Sequence, residues 1–146
     1  MKVSVIIPTY NCGKFIEKCL DSLLRQEEFL DFEIIIVDNH STDDTLKKVN
    51  FYVEKDNRIS VIRLDENLKQ GIARNIGVEH ARGEYIMFVD GDDKVSPLFI
   101  SHMYNKITRD GADMTVCRWA PFDNFTGKIN YKHGYANFHR LPEKFL

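Results

Sequence analysis

The chain has no long apolar run, no excess of charge of one sign and few cysteines. No segment approaches the roughly 20 apolar residues that a membrane-spanning helix needs. A net charge of −2 gives no electrostatic case for nucleic acid or an anionic membrane surface as partner. Cys12, Cys19 and Cys117 are odd in number and lack paired spacing. That argues against a disulfide framework or a zinc site and fits a reducing compartment. The histidines share no ligand spacing, so none is given a role. The first eight residues carry one Lys and a short apolar run cut off by Pro8, too short for a signal peptide and readable as a strand. Without a secretion signal, the glycosylation patterns at Asn39 and Asn124 read as coincidence. A glycine-rich phosphate loop is also missing. The segment after the first apolar run, "PTYNCGKF", matches neither dinucleotide-binding nor P-loop patterns. If a nucleotide binds, its phosphates must be neutralised in another way, and a metal held by carboxylates is the obvious one.

What is present is an ordinary globular composition: 146 residues, 43% hydrophobic and 29% charged. Val- and Ile-rich runs at 3–7, 32–37, 59–64 and 85–89 read as strands, with a weaker fifth at 114–117. Helical periodicity separates them. Phe15, Ile16, Cys19, Leu20, Leu23 and Leu24 mark one buried helical face, with Cys19 a buried thiol and Asn11 an expected cap. "STDD" at 41–44 opens a second helix to about Val53. Ile72, Ile76 and Val78 mark a third, expected to close at Gly83 as a glycine cap. Ser96-Pro97 starts a fourth, which Gly111 stops. This alternation predicts an α/β domain with a mostly parallel sheet. Ligands in such domains bind at the carboxyl ends of the strands. Pro8 to Asn11, Asp38 to Ser41 and Asp90 to Asp93 then share one rim. From about Arg118 the periodicity fades, so 1–117 reads as the domain, and 118–146 either as a long ordered loop region or as a segment that needs more chain than is present. The chain is expected to stop before its natural domain does.

"FVDGDD" at 88–93 runs an apolar strand into three carboxylates. Unit charges about 4 Å apart repel by roughly 1–4 kcal/mol in wet surroundings. A divalent cation, a Lys or Arg, or water around an exposed acidic turn would each relieve that repulsion.

"VSVIIPTYN", "FEIIIVDNHSTDDT" and "ENLKQGIARNIGVEHARGEYIMFVDGDD", in this order, resemble the family 2 glycosyltransferases over roughly residues 2–117. The resemblance implies a GT-A type, Rossmann-like three-layer sandwich, truncated at its C-terminus, with 118–146 the incomplete start of the acceptor-side region. It also implies transfer of a sugar from a nucleotide diphosphate donor, usually UDP-linked, to an acceptor hydroxyl with inversion. On this resemblance Pro8, Thr9 and Tyr10, with Asn11 beside them, would line the nucleobase pocket. Asp38 and Asn39 match an acidic pair of which one member reads the uracil imide; Asn39 stands where Asp is usual. Lys69 and Arg74 match the basic region facing the donor. Asp90, Gly91 and Asp92 match the D-x-D motif, with Asp92 the direct ligand of Mn2+ or Mg2+ and Asp90 near ribose or metal. Asp93 would help the metal or the sugar. The plainer readings stand beside these: Tyr10 a core aromatic, Asp38 a turn former, Ser41 a helix cap, Lys69 a solvated lysine, Arg74 paired to a nearby carboxylate.

Inverting transfer needs a carboxylate base near the acceptor hydroxyl. Asp110, Asp113, Asp123 and Glu143 lack the expected setting, so the base is expected outside this chain. A non-catalytic nucleotide-binding module and an aspartate-based phosphohydrolase are the competing readings. The resemblance further implies a glycan or lipid-linked acceptor in polysaccharide or cell-envelope synthesis. It implies a cytoplasmic location and peripheral association of the full-length protein with the membrane's inner face. The account would fail if a lysine or arginine occupied the cation's place.

Overall fold

The computed structural model describes residues 1–118, 120–123, 126 and 128. Among these residues four strands and four helices alternate: β1 Val3–Thr9, α1 Ile16–Leu24, β2 Phe32–Asp38, α2 Thr45–Val53, β3 Ile59–Arg63, α3 Lys69–His80, β4 Tyr85–Phe88 and α4 Phe99–Asp110. The sheet order is β3-β2-β1-β4, and every ladder is parallel.

Side-chain alternation along the strands sorts the helices into layers. Val3, Val5 and Ile7 of β1 join Phe32, Ile34 and Ile36 of β2 in a core with Ile16, Leu20, Val49 and Ile100. That core places α1, α2 and α4 on one face. Ile35 and Val37 pack with Ala73 and Ile76 on the other face, under α3. Gly77 permits this approach, since a Cβ there would lie 2.4 Å from Ile6 Cγ2. The three-layer sandwich is therefore as expected. Both central strands are buried over their whole length, which is why β1 and β2 read as continuous apolar runs.

Several local expectations are corrected. Residues 114–117 form no strand; Met114 and Val116 are 69% and 60% exposed, and no described strand pairs with them. Strand character needs a ladder partner, and apolar composition alone does not supply one. Asn11 does not cap α1, which has no side-chain cap. It adopts a left-handed φ of 51°, and its Oδ1 accepts from the Thr42 and Asp43 N–H groups. Gly83 is not the cap of α3, which ends in an extended Ala81. Its role is close packing: a Cβ would fall 2.5 Å from the Ser4 backbone nitrogen, and Gly83 N–H donates to Ser4 Oγ. The Ser96-Pro97 pair precedes α4, but the buried side chain capping it comes from a distant residue, Gln26, whose Oε1 accepts from Ile100 N–H.

Candidate functional site

β2 and β3 lie on one side of β1 and β4 on the other, so the chain reverses its direction of sheet growth at β1. Ligands in open α/β sheets bind at such a reversal, beyond the strands' carboxyl ends. The β1 backbone helps to open that gap. Lys2 and Ile6 carbonyls accept from β4-side N–H groups, while the Thr9 carbonyl accepts from Asn39 on the β2 side. By this alternation Pro8 turns its nitrogen toward β4, past the end of that ladder at Phe88. A proline costs the sheet nothing where no partner remains. Gly91 then lets the next turn close against β1: a Cβ there would sit 3.0 Å from Thr9 Cγ2 and 3.3 Å from Cys12 Sγ.

The resulting cleft, about 400 Å3, is lined by Pro8, Thr9, Tyr10, Cys12, Asn39, Asn67, Lys69, Gln70, Asp90, Gly91 and Asp92. Tyr10 is no core aromatic; it is 49% exposed. The amides Asn39 and Asn67 stand at the β2–β3 end, and the carboxylates at the β4 end. A larger depression, about 570 Å3, is lined among the described residues by α4 alone, including Lys106 and Arg109, which pair with Asp110. Among the described residues no second element converges on it, whereas the smaller cleft gathers polar side chains from several loops.

Three expected residues stand behind the cleft instead of lining it. Asp38 is fully buried; its Oδ2 accepts from Ser41 N–H at 3.2 Å and its Oδ1 from Thr9 Oγ1 at 3.5 Å. Asn11 ties the first loop to the second through Thr42, and Ser41 Oγ accepts from Asn11 N–H in return. Arg74 donates from Nη2 to Asp90 Oδ1 at 2.6 Å, with Gln70 Nε2 donating to the same oxygen at 2.9 Å. Its Cζ also lies 5.8 Å from the Phe88 ring centroid, and its Nε is buried without a partner among the described residues.

An arginine therefore does occupy part of the cation's place, at Asp90. Asp92 keeps its carboxylate free of any hydrogen bond or ion pair among the described residues. Burial, and then the neighbouring Asp92 and Asp90 charges, hold the Asp93 carboxyl above the usual range. The turn thus carries negative charge that Arg74 does not fully offset. Two hard oxygen donors in an open turn, with room for water and substrate oxygens, suit Mg2+ or Mn2+. Among the described residues no three His, Cys, Asp or Glu side chains converge as a complete metal site. A cation held here would take its remaining ligands from a bound molecule and water.

Cys12, Asn67 and Gln70 line the cleft although no role was read for them. Asn67 had a local signal: its Oδ1 accepts from Lys69 N–H at 3.0 Å, the turn an Asn two residues ahead favours. Cys12 and Gln70 had none. Lys69 carries a left-handed φ of 71°, and His40 one of 64° beside Asn39. Such conformations cost of order 1–3 kcal/mol each and gather at functional sites. Cys19 is buried as expected, its thiol pushed up to about 12 by burial.

Among solved structures, residues 1–349 of Staphylococcus aureus TarS in complex with UDP-GlcNAc superpose with a TM-score of 0.71 at 32% identity, over 84% of this chain and 38% of that one. A Pyrobaculum calidifontis mannosyltransferase in complex with GDP-Man and Mn2+ gives a TM-score of 0.60 at 32% identity, over 64% of this chain and 28% of that one. Glycosyltransferase GlyG of Streptococcus pneumoniae is 32% identical over 129 residues, 88% of this chain and 42% of GlyG. The chain thus spans less than half the length of these relatives. The Glycosyl transferase family 2 profile matches residues 4–145, so nearly the whole chain, cleft included, belongs to that family.

Proposed function

We propose that this chain is the donor-binding part of an inverting glycosyltransferase that moves a sugar from a nucleotide diphosphate, a UDP-sugar, to an acceptor hydroxyl. One observation carries the reading. The cleft at the sheet's reversal point runs from neutral amides, past an exposed tyrosine ring, to a carboxylate with no partner among the described residues. That order suits a ligand with a planar hydrogen-bonding head and a diphosphate tail. The carboxylate would repel the tail unless a cation lay between them.

Asp92 would hold that cation, Mn2+ or Mg2+, with Asp90 beside it on its second oxygen. What the ion supplies is Lewis-acid neutralisation of the departing diphosphate. Arg74 holds Asp90 in place through Oδ1. Tyr10 would stack on or flank the base, and Lys69 would offer charge to the diphosphate. Pro8, Thr9 and Gly91 would shape the floor. Asp38 and Asn11 would act from behind by fixing the loops that carry Asn39 and Tyr10. The support for Mn2+ is the relative crystallised with it, and the support for a UDP-sugar is TarS.

The acceptor would be a glycan or lipid-linked hydroxyl in cell-envelope polysaccharide synthesis; a Bacillus and a Staphylococcus relative are named as poly(ribitol-phosphate) glycosyltransferases. A cytoplasmic site with peripheral membrane contact fits such an acceptor. Among the described residues beyond Asp93, no carboxylate lines the cleft. The general base would therefore come from outside them.

The decisive experiment is calorimetric titration of nucleotide sugars with and without Mn2+, repeated on Asp92→Ala. Metal-dependent binding is expected, weakened at least tenfold in the variant, the equivalent of about 1.4 kcal/mol. Absence of metal-dependent binding for every nucleotide sinks the donor site. Equal binding by the variant removes Asp92 as the ligand.

A further inference from the structure

Asn39 and Asn67 occupy the end of the cleft away from the Asp90–Asp92 turn, and backbone donors fix how each amide points. Leu68 N–H donates to Asn39 Oδ1 at 2.8 Å, and Lys69 N–H donates to Asn67 Oδ1 at 3.0 Å. A backbone N–H cannot accept, so neither amide can flip without losing a bond. Asn39 Nδ2 then donates to Asn67 Oδ1 at 3.0 Å, which fills that oxygen. What remains is specific. Asn39 keeps one lone pair on Oδ1 and one hydrogen on Nδ2. Asn67 keeps both hydrogens of Nδ2, with no partner among the described residues. Asn39 is 3% exposed, so a polar group meeting it meets little competing water.

We propose that the Asn39–Asn67 amide pair reads the pyrimidine edge of the donor and admits cytosine alongside uracil. The inference rests on the nucleotide-binding reading above. Uracil presents an N3–H between two carbonyls. The free Asn39 Oδ1 lone pair accepts that hydrogen, and Asn67 Nδ2 donates to a carbonyl. Cytosine presents a bare N3 beside an amino group. The free Asn39 N–H donates to N3, and Asn39 Oδ1 accepts from the amino group. A carboxylate at position 39 could only accept. It would meet uracil well, repel the N3 lone pair of cytosine, and also face the filled Asn67 oxygen. The amide gives up charge-assisted strength and with it the discrimination that a purely accepting group enforces.

The test is calorimetry of UDP and CDP, each with Mn2+, on the full chain, on Asn67→Ala and on Asn39→Asp. The full chain is expected to hold the two nucleotides within about tenfold of each other. Asn67→Ala should weaken UDP about two- to tenfold, the loss of one neutral hydrogen bond. Asn39→Asp should widen the preference for UDP by at least about tenfold, since the charged acceptor repels N3. Asn67→Ala leaves the Leu68 bond to Asn39 intact and so tests the pair even if Asn39→Asp fails to fold. A more than hundredfold preference for UDP in the full chain overturns the proposal. So does unchanged UDP affinity in Asn67→Ala. If neither nucleotide binds with metal, the donor-site reading itself has failed and this proposal falls with it. If both bind but differ widely, only the proposal falls.

Discussion

Glu33 shows how a single charge is held inside this sheet. It lies on β2 opposite Ser4 and is almost fully buried. Ser4 Oγ donates to its Oε1 at 2.7 Å, and Arg82 donates through its backbone N–H, Nε and Nη2 at 2.9, 2.9 and 2.6 Å. Burial works to raise its pKa, but the Arg82 and Ser4 bonds together outweigh burial and leave it lowered. An unfolded Glu titrates near about 4.3. The stabilisation is therefore complete above that value and is lost as pH falls through the lower folded value. Glu33→Gln is expected to lower stability at pH 7 by about 1–2 kcal/mol. Urea titrations should show this deficit shrinking as pH falls from 7 through the acid range. A deficit constant across that range would mean that the charge plays no part. The site is at the amino end of the sheet, so nucleotide affinity should be unchanged.

At the scale of elements, Gln26 joins two helices that the sequence presents as separate. It is buried just after α1. Its Nε2 donates to Ser96 O at 2.7 Å and Ser22 O at 3.1 Å, while Oε1 accepts from Ile100 N–H at 2.8 Å. The start of α4 is thus capped by a residue 74 positions earlier. Gln26→Ala strands one N–H and one carbonyl and should cost about 1–3 kcal/mol. Hydrogen exchange should show the loss concentrated at the first turn of α4, with β1 and β2 unchanged; uniform loss would deny Gln26 this local role. The periodicity of α1 and the apolar runs of β1 and β2 were legible because 3.6- and 2-residue patterns are local. The caps were not, because polar partners come from wherever folding puts them. Residues 114–117 failed for the same reason, since a strand exists only against another.

For the whole molecule, a ligand held in the cleft would couple binding to global stability. A ligand that binds only the folded state at a hundred times its Kd adds about 2.7 kcal/mol. For a chain of this size that raises the melting temperature by about 5–10 °C. A UDP-sugar with Mn2+ should produce such a shift in calorimetry. Mn2+ alone should produce much less, and Asp92→Ala should show a clearly smaller shift with the UDP-sugar and Mn2+. An undiminished shift in Asp92→Ala would place the cation elsewhere. The parallel order and the reversal at β1 explain why the effect is global: the ligand would bridge the ends of β1, β2 and β4 at once.

The sequence by itself determined the alternation of elements, the two apolar central strands and the delivery of three polar clusters to one rim, because each follows from short-range periodicity and chain polarity. Tertiary structure alone decided which of those polar groups remain free to meet a ligand. Asp38 and Asn11 are consumed by neighbouring loops, Arg74 takes one oxygen of Asp90, and Asn67 arrives beside Asn39 from 28 positions away. The reason is that hydrogen-bonding capacity is finite at each atom and is filled by whatever the fold brings near. A motif shows which atoms can bind, and only the packed neighbours show which are still unfilled.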